Sequence, residues 1–163
     1  DWLAYIEEDP QDPNQVKHYA RGGGQSTYTL FVPNPRNQAV VEVATRAIGT
    51  TYTRYLPDGS YEAYSAATAT SPRKYFMTVS GDRKGNALHF AYDTSLRLVS
   101  VTDATGLVTT LTYGLASDPL KITRVTDPYG RFATFEYDSN GRLSTITDVI
   151  GIASRSSRIP AWR

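Results

Sequence analysis

An internal period constrains this chain more than any other feature of its sequence. Three segments align on their Gly, Tyr and Asp positions: Gly85–Asp103 (GNALHFAYDTSLRLVSVTD), Gly106–Asp127 (GLVTTLTYGLASDPLKITRVTD) and Gly130–Asp148 (GRFATFEYDSNGRLSTITD). Gly85, Gly106, Gly130 and Gly151 are separated by 21, 24 and 21 residues, and Tyr92, Tyr113 and Tyr137 by 21 and 24. The middle unit carries its three extra residues between Tyr113 and Val125, where Ala116-Ser117-Asp118-Pro119 gathers turn-forming residues. A unit of ~20 residues cannot bury an apolar face alone and is stabilised by pairing with its neighbours in a continuous sheet.

Each unit reads as a β-hairpin. The outgoing strands alternate, with Leu88, Phe90 and Tyr92 on one face and Ala87, His89 and Ala91 on the other. Thr109, Leu111 and Tyr113 repeat this pattern, as do Ala133, Phe135 and Tyr137. Period two with one bulkier face marks a half-buried strand. Turns follow at Asp93-Thr94-Ser95 and Asp138-Ser139-Asn140-Gly141, where Asn-Gly supplies positive φ. The return strands, Leu98–Val101, Ile122–Val125 and Leu143–Ile146, place two apolar residues three apart. On a regular strand these face opposite ways, so either a bulge re-aims one of them or both faces are partly covered. Units end at Asp103, Asp127 and Asp148 in Asp-x-x-Gly turns, of which Asp127-Pro128-Tyr129-Gly130 is the clearest. A fourth, weaker copy lies in residues 52–64 around Pro57-Asp58-Gly59. Residues 1–48 are less regular. They offer loops at Asp9–Asn14 and Arg21–Gly24 and candidate strands at Tyr28–Val32 and Gln38–Val43.

Composition agrees with an all-β chain. The 163 residues fit one domain, and the 12 Tyr, with abundant Thr and Val, suit a pleated half-buried surface. The formal net charge of +1 gives no footprint for nucleic acid or an anionic membrane. There is no Cys, so disulfides and thiolate metal sites are excluded. No apolar run approaches the ~20 residues of a membrane span. Asp1-Trp2-Leu3-Ala4-Tyr5 lacks the basic and apolar regions of a signal peptide, and the chain reads as starting inside something larger.

Residue types that carry chemistry are present without the spacing that chemistry needs. His18 and His89 are far apart, and neither belongs to a zinc-ligand pattern. His89, on the more polar strand face, reads as an ordinary surface or lumen residue. Asp58, Asp103, Asp127, Asp138 and Asp148 read as turn residues that bond the backbone. No loop carries the alternating ligands and closing Glu of a calcium loop. Glu7-Glu8-Asp9 reads as a solvated acidic loop, and Gly22-Gly23-Gly24 as a flexible turn rather than a phosphate loop. Arg155, Arg158 and Arg163 make the end basic and solvated. No catalytic, cofactor-binding or metal residue is assigned, and an enzyme is not expected. The Tyr92, Tyr113 and Tyr137 column reads first as a cross-strand ladder that fixes register, and second as a stacking surface for sugars or an unfolded passenger chain.

Tyr137-Asp138-Ser139-Asn140-Gly141-Arg142-Leu143-Ser144-Thr145-Ile146-Thr147-Asp148 resembles the YD-repeat pattern of the RHS family almost residue for residue. Tyr92-Asp93 with Leu96-Arg97-Leu98 and Val101-Thr102-Asp103 is similar. On this resemblance the repeat-defining residues are Tyr92, Asp93, Arg97, Leu98, Asp103, Gly106, Tyr113, Asp127, Gly130, Tyr137, Asp138, Gly141, Arg142, Leu143 and Asp148. The likeness departs at Gly114, which replaces the Asp after Tyr113, and after Ile152, where no new Tyr-Asp unit starts. The resemblance implies repeated antiparallel hairpins in a continuous curved sheet, a segment of a hollow shell of the kind found in bacterial RHS proteins, toxin-complex subunits and teneurins. It divides the chain into an irregular β segment (1–48), about four repeat units (49–151) and a basic tail expected to be disordered (152–163). Bacterial members hold a C-terminal toxin segment in such a shell. The implied partners are therefore the rest of the shell and an enclosed polypeptide cargo, and the implied location is secreted or delivered from a bacterial cell surface. The alternative is a cell-surface module binding glycan or protein. The self-cleavage motif of some bacterial shells, Asp-Pro-x-Gly-Leu in type, is not matched, because Arg131 follows Asp127-Pro128-Tyr129-Gly130.

Overall fold

The β-branched and aromatic stretches separated by Gly, Pro and Asp form strands throughout. A computed structural model of the chain describes residues 4–47 and 49–155. Fourteen strands are formed among them, with no helix. They are β1 (Tyr5–Glu8), β2 (Gln15–Tyr19), β3 (Gln25–Thr29), β4 (Val40–Arg46), β5 (Gly49–Tyr55), β6 (Tyr61–Ala67), β7 (Lys74–Gly81), β8 (Ala87–Tyr92), β9 (Leu98–Thr102), β10 (Val108–Thr112), β11 (Arg124–Thr126), β12 (Phe132–Tyr137), β13 (Leu143–Thr147) and β14 (Ala153–Arg155).

From β4 to β14 every strand pairs antiparallel with its neighbours in sequence, making one open curved sheet. The first three strands join it differently. Tyr5, Ile6 and Glu7 of β1 pair with Phe76, Tyr75 and Lys74 of β7. Val79, Ser80 and Gly81, further along β7, pair with β8. Since β6 occupies the other side of β7, β1 and β8 lie end to end along one edge. The meander β1-β2-β3 therefore forms a strip curled over β4–β7. β3 and β4 are not paired as a ladder. Across that seam the Phe31 amide donates to the Val41 carbonyl at 2.8 Å.

The core lies under this strip. Ala4, Ile6, Val16, Tyr28, Ala39, Val41, Tyr52, Tyr64, Tyr75 and Met77 form one buried cluster, with Leu30, Val43 and Phe90 packed against it. It joins residues on both sides of position 48. Each fully buried Ile or Val contributes about 1.5–3 kcal/mol, which holds the strip although its ladder to β7 is short. Beyond β7 cover is thin: from β8 to β14 Leu98 alone among the described hydrophobic residues is buried.

Some local expectations shift. The third strand is Gln25–Thr29 rather than Tyr28–Val32, because the chain turns at Leu30 and Phe31, the latter at φ 64°, to reach the seam. The loops at 9–14 and 21–24 are present. The tail expected to be disordered from 152 contributes a strand: Ala153, Ser154 and Arg155 pair with Thr147, Ile146 and Thr145. Arg158 and Arg163 lie outside the described residues.

Candidate functional site

The site that the repeats build is the joint between one hairpin and the next, and it starts with the turns. At Asp93 the amide donates to the Arg97 carbonyl at 3.0 Å, and the Leu96 amide returns a bond to the Asp93 carbonyl at 2.9 Å. Asp93 Oδ1 accepts from the Ser95 and Arg97 amides, both at 2.9 Å. The same pattern recurs at Asp103, Asp127, Asp138 and Asp148, and at Asp82, a sixth copy that the sequence comparison missed. Such a three-residue loop needs one residue in the left-handed region at its end. Gly106, Gly130 and Gly141 supply it at φ 85°, 82° and 71°, whereas Leu96 does so in the Asp93 turn. Asn140 is not in that region, so Gly141 alone provides the positive φ expected of Asn-Gly.

At Asp82, Asp93, Asp103 and Asp127 these bonds hold the carboxyl below its ordinary pKa. Asp93 is pushed below its ordinary pKa first by the Arg97 amide, and Asp103 first by the Thr105 hydroxyl. At Asp127 desolvation, the largest single influence, raises the pKa, but the bonds from the Arg131 side chain and amide and the Tyr129 amide together outweigh it and lower the pKa.

Two of the three return strands, β9 and β13, resolve in favour of the bulge, whereas β11 pairs with β10 without one. Tyr92 lies opposite Leu98 while Ala91 lies opposite Ser100, so Val99 is the extra residue. Tyr137 lies opposite Leu143 and Glu136 opposite Thr145, which leaves Ser144 extra. β7 does the same upstream, with Tyr64 opposite Met77 and Ala63 opposite Val79. A bulge adds one residue and flips the alternation beyond it. Leu98 and Val101 thereby come to face the same way, opposite Tyr92 and Phe90.

The tyrosines close the joints. Tyr92 donates its hydroxyl to the Met77 carbonyl, Tyr113 to that of Leu98 and Tyr137 to that of Ile122, each at 2.7 Å and each spanning 15 residues. Met77 and Leu98 are bulge residues of the preceding unit, where ladder bonding is disrupted. Tyr92 and Tyr137 thus face the bulges of their own hairpins, and Tyr92 and Tyr113 bond a bulge carbonyl of the hairpin before; β10 and β11 pair without a bulge. The three-residue insertion of the middle unit falls between Tyr113 and Ile122, outside every 15-residue span, and so leaves the joints unchanged.

Basic side chains brace the same joints. Arg97 bonds Asp93 Oδ2 through Nε at 2.7 Å and the Pro119 carbonyl through a terminal nitrogen at 2.8 Å, and its guanidinium lies 4.8 Å from the Tyr113 ring centre. Lys121 Nζ stands 5.4 Å from the centre of the Tyr137 ring. Tyr19, Tyr5, Phe76 and Tyr92 run in a row with successive ring centres 4.5, 5.9 and 6.1 Å apart. In this column hydroxyls bond backbone, and ring faces meet cations or other rings. Arg131 bonds Asp127 Oδ2 at 2.6 Å, and Arg142 and Leu143 are exposed beside the Asp138 turn.

A second polar cluster lies inside the curled part. Glu62 Oε2 accepts from Arg54 at 2.9 Å and from the Tyr64 hydroxyl at 2.8 Å. The His18 Nε2 lies 3.0 Å from the Tyr64 oxygen. With Tyr64 donating to Glu62, Nε2 is the donor of that contact. Arg54 Nε and Asn37 Nδ2 both donate to the Tyr28 oxygen, at 3.1 and 2.8 Å. Glu8 accepts from the hydroxyls of Tyr52 and Tyr75 at 3.1 and 2.8 Å. This corrects the expectation of a solvated loop at Glu7-Glu8-Asp9. Glu7 and Glu8 belong to β1, and Glu8 is held by phenols because their burial leaves the hydroxyls few other acceptors. His89 is exposed. Among the described residues no group of His, Asp and Glu is placed to hold a metal ion.

The molecule is thus a β-hairpin repeat protein, an all-β sheet of units joined by a recurring bond from a tyrosine hydroxyl to a carbonyl of the preceding unit. Residues 118–149, which run from the middle unit's turn to the Asp148 turn, match the family model of the RHS repeat. This match supports membership of the RHS/YD-repeat family. The RHS repeat is a structural repeat family, not an enzyme family. No curated protein matches the chain.

Proposed function

We propose that this chain is a wall segment of an RHS/YD-repeat shell that encloses a polypeptide cargo, such as a C-terminal toxin, for delivery from a bacterial cell surface. The observation that supports this reading most is the constant 15-residue tyrosine joint. It lets hairpins follow one another indefinitely, because each unit needs only the carbonyl of the previous one and leaves an edge for the next. A wall built this way can extend around a cargo while its stability comes from nearest-neighbour contacts. The turn rows carry carboxylates, of which those of Asp82, Asp93, Asp103 and Asp127 are held below their ordinary pKa. The partners of the segment are then the rest of the shell and the enclosed chain.

Limited proteolysis of the cargo tests this in the full-length parent chain. Cargo inside the shell is expected to survive a protease dose that digests the free cargo completely. Equal digestion rates would overturn the encapsulating role and leave a purely structural or adhesive one.

A further inference from the structure

The strip β1–β3 has the form of a flap. It is hydrogen-bonded to the rest of the sheet along a ladder of three residues, Tyr5–Glu7 against Lys74–Phe76, extended by the Glu8 amide on the Arg73 carbonyl at 3.1 Å. Its far side ends at the β3–β4 seam, where no ladder forms and the Phe31 amide bonds the Val41 carbonyl at 2.8 Å. Between these two borders the buried His18 of β2 is the strip's polar contact with β6, 3.0 Å from the Tyr64 oxygen.

The surroundings of His18 suit a neutral imidazole. Ile6 of β1 and Ser26 of β3 lie opposite it in the ladders. Tyr28 of β3 and Tyr64 of β6 pack edge-on at 6.2 and 5.9 Å between ring centres. The charged groups that face it are Arg54 of β5 and Glu62 of β6. Glu62 Oε2 is 3.9 Å from Nε2, but that carboxylate already accepts from Arg54 and Tyr64. A second cation in this cluster would share one anion with a guanidinium in a nearly dry interior.

We propose that the strip is an acid-released flap, latched by neutral His18 and freed when that imidazole takes up a proton. Opening would uncover the row Tyr52, Tyr64 and Tyr75 and the edge of β7, both of which the strip now covers. The electrostatics support this direction. Burial first, then Arg54, holds the His18 pKa down at about 4 against an ordinary 6.5, with Glu62 only partly opposing. The opened strip therefore binds more protons than the closed one between these values, so closure is fully stable above pH 6.5 and weakens as pH falls toward 4. By the same linkage the opening equilibrium should rise more than tenfold between pH 7.5 and 5, a window above the usual carboxyl range.

Hydrogen exchange on the full chain, expressed as protection factors so that intrinsic rates cancel, tests this. The amides of β1–β3 are expected to lose at least tenfold in protection from pH 7.5 to 5, while those of β9–β13 keep theirs. The variant His18→Phe should remove the pH step in the strip. In the unmutated chain, NMR titration of the His18 ring should give a pKa well below that of exposed His89, which keeps the test decisive should the variant fail to fold. A His18 titrating near 6.5, or a strip and ladder that loosen together with pH, would overturn the proposal.

Discussion

The hydroxyl of Tyr113 illustrates how much of a joint rests on one atom. It fills the carbonyl of Leu98 at a bulge where ladder bonding is disrupted. Tyr113→Phe should cost about 1–2 kcal/mol, the range for removing a partner from a partly buried acceptor, read as a lower urea midpoint with unchanged slope. Tyr129→Phe is the control. That residue is 73 % exposed and lies in a turn rather than at a joint, so the change should stay within about 0.5 kcal/mol. Gly81 gives a second residue-scale prediction. The ring of Tyr61 lies where a Cβ on Gly81 would sit, so Gly81→Ala must push the ring aside, at about 1–3 kcal/mol. The same denaturation experiment measures it. The tyrosine column was visible in sequence because it recurs, but the 15-residue bond was not. Its meaning depends on knowing which carbonyl a bulge exposes. The packing of Tyr61 on Gly81 had no signal at all, since the two meet only through the register of β6 and β7.

Turns were the most legible element, since Asp-x-x-Gly states its own hydrogen bonds. Their protonation yields a prediction at this scale. The Asp82, Asp93, Asp103 and Asp127 carboxyls are held below the ordinary 3.8. The unfolded chain therefore takes up protons before the folded one does as pH falls. The stability they contribute is present above about pH 4 and is lost as pH drops through their folded values. Urea midpoints should hold between pH 5 and 7 for a His18→Phe chain and drop at pH 3, and Asp127→Asn should flatten that acid limb. Strand alternation was legible only in part. Thr109 and Leu111 are more covered than Val108, Thr110 and Thr112, as their spacing implies. Leu88 shares a face with Phe90 yet stays 42 % exposed, because its partner across the ladder is the small Ser80. The return strands allowed two explanations, and in β9 and β13 the register decides for the bulge, which no residue type in Leu98–Val101 announces.

At the scale of the molecule the two ends differ in a way the repeat alone did not reveal. The curled end is closed by contacts between residues far apart, such as Tyr75 with Glu8, 67 positions away. No local pattern encodes such a contact, which is why the first 48 residues looked irregular. The other end is a ladder that thins toward β14, which pairs with β13 alone among the described strands. Beside it the Asp148 turn exposes Val149, Ile150 and Ile152, by 52, 76 and 59 %. An unpaired edge flanked by apolar side chains invites pairing with another chain, and charge there is the usual protection. A chain of residues 1–163 should therefore associate with rising concentration, seen as a mass above 18.0 kDa by light scattering. Ile150→Lys together with Ile152→Lys should return it toward the monomer without lowering its unfolding free energy by more than about 0.5 kcal/mol, as expected for exposed positions. A monomer at every concentration would mean that this edge is already protected, and that further units attach through the tyrosine joint rather than through an adhesive rim.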